Sequence, residues 1–375
     1  MASLHEPIPV LHQQGTCLYC GRNLDPASEE HVISEGLGCR TTLKDCVCRQ
    51  CNSDFGETFE AELVNGLVFY RSFFRIPGKD GRIPDFKCYG RPAGESRTIP
   101  VIISGDGRVL IPPQQISEKT PLGRVEREYR VFKAGEELKI ETNLKRRHGD
   151  LVWQRLGKDD GRLVIEMVAE FDAGILCTPN ASRCVAKYAL NLITHTLGKP
   201  FVQGRFANLK KFVTAGGFSG ELPAGIVWNE ALFKRIQHHP PRHVLIVYND
   251  AQDHRVIVLV YLFSLFPFCI VAADPDIRVE SVAGSYQIDP YIGSIDPLLT
   301  TRFRPELIFL RALAALPRGG TDQAKAVGQN ARKWLLQVSE SDSSTDFHAC
   351  YSCTRLLERF QPVCPYCGKS TLPVT

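Results

Sequence analysis

Eight of the fourteen cysteines stand in pairs three positions apart: Cys17/Cys20, Cys48/Cys51, Cys350/Cys353 and Cys364/Cys367. Two thiolates at that spacing in a tight knuckle present both sulfurs to one tetrahedral ion. Met1 to Gly15 holds Glu6, two prolines and no apolar core, so no targeting segment is expected and the expected location is cytoplasmic. Thiols in that compartment stay reduced, which favours zinc over disulfides. The first two pairs are expected to hold one structural zinc and the last two a second. Cys39, Cys46, Cys88, Cys177, Cys184 and Cys269 lack such partners and are expected to be small buried residues. Between the first two knuckles lie Ser28-Glu29-Glu30-His31-Val32-Ile33 and then Leu37-Gly38, and Asn52 follows the second knuckle at once. An imidazole with its ordinary pKa of about 6.5 can accept a proton at neutral pH.

From Cys17 to Leu63 the chain resembles the HNH endonuclease superfamily. It looks closest to the branch that reads C-x-x-C, then E-H-[IV]-I-P-x-x-L-G, then C-x-x-C-N. The resemblance implies Glu30 as a metal ligand, His31 as general base and Asn52 as the ligand that starts the helix. It also implies a treble-clef-like ββα fold. Phosphodiester hydrolysis needs an activated water and stabilisation of charge on the phosphoryl and leaving oxygens. A carboxylate plus a neutral oxygen can hold Mg²⁺ or a transition metal ion and leave positions open for phosphate and water. Successive strand residues point to opposite faces, so the end of a hairpin would have to bring Glu30 and His31 to one site. The four thiolates then tie hairpin to helix, a staple useful in a segment with little core of its own.

The chain departs from that pattern in three places. Ser34 replaces a proline, which is expected to alter loop rigidity only. Asn52 is neutral where many relatives place a histidine. The middle polar residue is not evident, with Leu43 near its place and Thr41 or Thr42 as substitutes. Glu57 and Glu60 could supply an oxygen ligand, or could lie on a solvated helix face.

The elements that must position these residues follow from the apolar pattern. Phe55, Phe59, Leu63 and Leu67 recur at helical spacing after the second knuckle. Arg75 to Pro121 is rich in Gly and Pro and reads as loops and short strands. A helix is expected from Ser182, its cap, to Gly198, with Val185, Tyr188, Ala189, Leu192, Ile193 and Leu197 as the apolar stripe. His243–Tyr248, Arg255–Phe263 and Leu265–Ala273 read as three strands of an antiparallel meander, with Asn249-Asp250 as the first turn and Ser264 as the second. Val256 to Ala273 runs eighteen residues without a charge, yet Pro267 and its β-branched composition favour buried strands over a membrane helix. Leu307–Leu316 and Gln323–Val338 read as helices, and SESDSSTD (Ser339–Asp346) as a linker.

Charge is unevenly spread. Met1 to Arg75 carries six Lys/Arg against ten Asp/Glu, while Ala173 to Gly220 has six bases and no acid. Arg183, Lys187, Lys210 and Lys211 in that stretch are candidates for contacting a phosphate backbone, with a solvated face as the alternative. The run R-x-x-x-K-x-A-L-N-x-x-x-x-x-x-G, from Arg183 to Gly198, also resembles a helix found downstream of this HNH branch.

The expected protein is thus α+β and tripartite: an HNH module at 14–75, a central mixed domain around an antiparallel sheet at 76–338, and a rubredoxin-like zinc ribbon at 347–375. Expected cofactors are two structural zinc ions and one catalytic divalent ion. The expected partner is nucleic acid, DNA before RNA, with no membrane. Three functions compete: cleavage of DNA, in defence by analogy; zinc-ordered binding without cutting; and a central domain that senses a ligand or protein partner and gates the module.

Overall fold

The computed structural model describes residues 15–24, 28–92, 98–105, 109–112, 114–119, 125–130, 142–143, 146, 165–168, 173–217, 222–228, 242–250, 252–273, 283–297, 313–316, 318–341, 348–349 and 356–357. Cys350, Cys353, Cys364 and Cys367 lie outside them. The chain divides into two compact units, Met1–Gly81 with Asp172–Thr375, and Arg82–Phe171. This grouping differs from the boundaries expected from sequence. The N-terminal module shares its core with a helix near residue 187 and does not stand apart.

The first unit begins with a hairpin, β1 (Glu29–His31) against β2 (Thr42–Lys44), in the register Glu30 opposite Leu43. The second knuckle then opens α1 (Arg49–Phe55), capped by the Cys48 thiol. A π turn at Gly56–Glu60 follows, then α2 (Ala61–Gly66) and α3 (Val68–Phe73). The expected stripe of Phe55, Phe59, Leu63 and Leu67 is buried along this run.

The second unit contains β3 (Phe86–Pro92), β4 (Ile99–Ile103), β5 (Val109–Leu110), β6 (Gln114–Lys119), β7 (Val125–Arg130) and β8 (Ile165–Val168). They form a four-stranded sheet ordered β5-β4-β3-β8 and a separate β6-β7 pair.

The chain re-enters the first unit through α4 (Pro179–Leu197). Thr178, not Ser182, caps it, because Pro179 at the first helical position needs no hydrogen-bond partner. α5 (Lys199–Gln203) and α6 (Ala207–Ala215) follow. Then come β9 (Ala224–Ile226), β10 (His243–Asp250), β11 (Arg255–Leu262), β12 (Phe266–Ala273), β13 (Ala283–Ile288) and β14 (Ile295–Pro297). They pair antiparallel in the order β14-β13-β10-β11-β12-β9. α7 (Thr321–Ser341) and a short pair, β15 (His348–Ala349) with β16 (Leu356–Leu357), complete the described elements.

β11 and β12 account for the long uncharged run. One face packs Ile257, Leu259, Tyr261 and Cys269 against Val244, Ile246, Leu313 and Ala314. α4 lies against β9, β11 and β12. Strands covered on both sides lose the polar alternation of a one-sided sheet. Among the described residues no helix is long and apolar enough to cross a membrane. The turn between β11 and β12 uses Phe263 and Ser264, both at positive φ, closed by Leu265 N–H to Leu262 O at 3.0 Å. Asn249 and Asp250 belong to β10 and not to the turn, since Asp250 pairs with Arg255 across the strands at 3.1 Å.

The hairpin is bolted to this sheet. Arg40 N–H and Thr41 N–H both reach Gly293 O, at 2.8 and 3.2 Å, and Ile295 N–H reaches Thr41 Oγ1 at 3.0 Å. Gly38 and Gly293 lie at positive φ, and a Cβ on either would strike the opposing segment, Pro290 or Arg40. His243 is fully buried between them: its Nε2 donates to Leu37 O at 2.8 Å while Nδ1 accepts from Phe263 N–H at 3.2 Å. Burial pushes its pKa down to about 4. The unfolded imidazole, near 6.5, therefore takes up a proton first. Stability is full above about pH 6.5 and falls as the pH drops toward 4. From pH 8 to pH 5 this residue should remove about 2 kcal/mol of unfolding free energy, read by denaturant titration, and His243→Phe should flatten that share of the slope.

Candidate active site and metal centre

Cys17, Cys20, Cys48 and Cys51 come together, with all four Sγ atoms within 4.8 Å of one another. Tetrahedral zinc with Zn–S near 2.3 Å needs sulfurs about 3.8 Å apart, and Cys20 Sγ lies 3.6 Å from Cys48 Sγ. The donor set and its spacing suit a closed structural ion. The hydrogen bond from Cys51 draws the Cys17 thiol down to about 4, toward the thiolate that zinc requires. Arg22 Nε donates to Cys20 Sγ at 3.3 Å from the exposed side.

β1 keeps strict strand alternation. Glu30 points inward at 2% exposure, whereas His31 points to the other face with its side chain 27% exposed. The hairpin end does not bring the two side chains round to one point. His31 Nε2 lies 3.5 Å from Glu35 Oε2, and its Nδ1 is buried without a hydrogen-bond partner. Burial, opposed by Glu35, lowers its pKa and keeps the ring neutral at pH 7. Asn52 donates Nδ2–H to Glu29 O at 2.7 Å, which docks the start of α1 on the hairpin. Thr42 Oγ1 donates to Glu29 Oε2 at 3.2 Å.

Glu30 meets a partner from far along the chain. Lys187, on α4, is 1% exposed and places Nζ on Glu30 Oε1 and, at 2.6 Å, on Glu60 Oε1. Asn191, one turn on, donates to Glu30 Oε1 at 3.2 Å and to His31 O at 2.8 Å, and accepts from Tyr19 O–H at 2.9 Å. Ser34 O–H donates to Glu60 Oε1 at 2.9 Å and lies 2.5 Å from the Tyr188 hydroxyl. One network thus joins the first knuckle, the hairpin, the π turn and α4. Its charge does not cancel, since one ammonium faces two carboxylates. Burial pushes Glu30 up to about 7 against the pull of Lys187, and its Oε2 is buried without a partner. Lys187 is also pulled down by burial, but the two carboxylates outweigh that and keep it charged.

Several sequence expectations change here. Lys187 is a core residue that binds carboxylates, because a buried ammonium needs anionic partners, so it cannot line a surface track. Arg183 lies over the Phe59 ring at 4.7 Å and caps the end of α6 through Val213 O at 2.9 Å and Thr214 O at 3.2 Å. Lys210 caps α5 through Val202 O and Gln203 O, both at 2.7 Å. Lys211 is exposed. Glu57 lies on the solvated face, held by Ser53 at 3.1 Å, whereas Glu60 is buried. Ser34 is a member of the network, so the missing proline alters more than rigidity. Thr41, a substitute for the middle polar residue, is committed to the sheet edge.

Residues 17–68 match the family model described as HNH endonuclease, and the four-cysteine cluster fits the branch with two C-x-x-C knuckles. No curated protein and no solved structure matches the chain.

Cys48→Ser should lower the zinc content by one ion per chain, measured by elemental analysis, and loosen the hairpin. Cys39→Ser should leave zinc unchanged, because Cys39 lies outside the four-sulfur cluster and its thiol donates to Thr41 O at 3.7 Å. Lys187→Met should destabilise the first unit by about 3–5 kcal/mol in urea titration, since it strands two buried carboxylates. Retention of parental stability would show that the buried pair contributes nothing.

Proposed function

We propose that the HNH module at residues 17–68 cleaves phosphodiester bonds of nucleic acid, DNA before RNA, with His31 as general base. The observation that carries this reading is the His31 ring itself: neutral, fixed by its strand, and with one nitrogen uncommitted. A neutral imidazole keeps one lone pair, and on a ring with an exposed edge that lone pair can take the proton of an attacking water. Glu35 then offsets the charge that develops on the imidazolium. Asn191 holds the His31 main chain, and Asn52 holds that of Glu29, so strand β1 is fixed from both sides.

The donors also suit a divalent ion. Glu30 Oε2 is an orphaned buried carboxylate oxygen in a network with surplus negative charge, and Asn52 spends its amide nitrogen while its oxygen is left to ligate. Glu30 and Asn52 would hold such an ion, and when bound it would stabilise charge on the phosphoryl and leaving oxygens. The four-thiolate centre is structural in this reading, and a second zinc on Cys350, Cys353, Cys364 and Cys367 completes the cofactor set.

A second reading, nucleic-acid binding without cutting, draws on the inward aim of Glu30 and its bond to Lys187. The deciding experiment incubates the purified chain with plasmid DNA and Mg²⁺ or Mn²⁺, with and without chelator. Chelator-sensitive cleavage should appear, and His31→Ala should slow it by about 10²–10⁴ while leaving zinc content and DNA affinity intact. Parental cleavage by His31→Ala would remove the assigned base. Binding without cleavage under any metal makes the module a reader.

A further inference from the structure

A small cavity of about 130 Å³ is walled in part by Glu35, the residue that pairs with His31. Glu35, Gly38, Arg40, Gly78, Lys79 and Pro290 are among its walls. We propose that this cavity seats one phosphate group of a nucleic-acid strand, held by Arg40 and Lys79. The assignment of that phosphate as a neighbour of the cleaved bond rests on the nuclease reading above; the seat itself does not.

Size restricts the occupant first. A cavity of about 150 Å³ admits one benzene ring, so this volume takes a group of that order, a tetrahedral oxyanion among them.

Charge restricts it next. Arg40 and Lys79 are both exposed, and neither guanidinium nor ammonium has a hydrogen-bond or ion-pair partner among the described residues. Every other cation singled out from the sequence in the basic stretch, apart from Lys211, is committed to a carbonyl or a carboxylate. Glu35 is the one acid in the wall, and its carboxylate faces His31 at 3.5 Å. Two bases against one acid leave the seat positive. A guanidinium fork and an ammonium on one oxyanion form charge-assisted hydrogen bonds of the stronger kind.

Geometry restricts it last. The Arg40 main chain is pinned by its N–H to Gly293 O at 2.8 Å. Lys79 sits in a turn closed by Gly81 N–H to Gly78 O at 3.0 Å, with Gly81 at φ 74°. Both cations therefore project from fixed backbone. Lys79 lies within electrostatic reach of His31, and Glu35 belongs to both the cavity and the His31 pair. A phosphate in the seat brings the sugar–phosphate strand past the His31 imidazole.

The test uses the full zinc-loaded chain in the His31→Ala background, with short labelled DNA as single strand and duplex, read by anisotropy at several salt concentrations. Arg40→Gln with Lys79→Gln should weaken binding about tenfold and lower the salt slope by about 0.9, the loss of one phosphate contact. The charge-conserving pair Arg40→Lys with Lys79→Arg should retain most of the affinity, and zinc content should be unchanged in both. Lys325→Gln, an exposed lysine on α7, should change neither affinity nor slope. Parental affinity and slope in the double glutamine variant would overturn the seat, whatever the cleavage assay shows. Loss of affinity in a chain that never cleaves would sink the nuclease reading and leave the seat standing. If inorganic phosphate binds the parent while DNA affinity ignores both residues, the cavity serves a free anion and the proposal falls.

Discussion

One ammonium inside the protein governs the rest. Lys187 is enclosed by Glu30 and Glu60, with the ring of Phe55 5.7 Å away, and water does not reach it. A charge in that setting costs several kcal/mol unless opposite charges and hydrogen bonds surround it. Each partner it demands comes from a different part of the module: Glu30 from the hairpin, Glu60 from the π turn. The ammonium therefore fixes where those elements lie relative to α4. Asn191 and Tyr188, on the same helix, extend the constraint to Tyr19 in the first knuckle and to Ser34 after the hairpin strand.

The four-cysteine cluster and the lysine thus divide the task of ordering a short segment. The four thiolates join residues up to 34 positions apart and need no core to do so. They cannot set the hairpin against the large sheet. That is done by main-chain bonds at Gly293, by His243 under Leu37, and by the Lys187 network on the other side. His31 sits between these supports, which accounts for a half-exposed ring on an otherwise immobilised strand.

Much of the site was legible because it is local. Cysteine spacing, the Glu30-His31 pair, Asn52 and the Phe55–Leu67 stripe are written within some fifty residues, and the structure assembles the first four-cysteine cluster and the stripe as read. The three-stranded meander was also legible, since its strands follow one another through short turns. The role of Lys187 was not, because its partners are 127 and 157 positions away. A signal was present nonetheless. α4 is apolar on nearly every side, and a lysine and an asparagine four apart in such a helix need buried partners. Reading Lys187 with Arg183, Lys210 and Lys211 as phosphate contacts or a solvated face treated charge as a mark of exposure. Glu60 misled for the complementary reason: the π turn rotates it inward from a position that regular helical spacing would leave outside.

The distance between Glu60 and Lys187 also has a meaning in time. Translation proceeds at about 5–20 residues per second, so the 127 residues that separate them take on the order of 6–25 s to synthesise. Before that interval ends the knuckles, hairpin and first helices have left the ribosome, and all of the Arg82–Phe171 unit is made before their brace is. The nascent segment can load zinc, but Glu30, Glu60 and the His31 strand have nothing to close upon. The strand that carries His31 gains its brace only after α4 has been made, and its bonds to His243 and Gly293 later still.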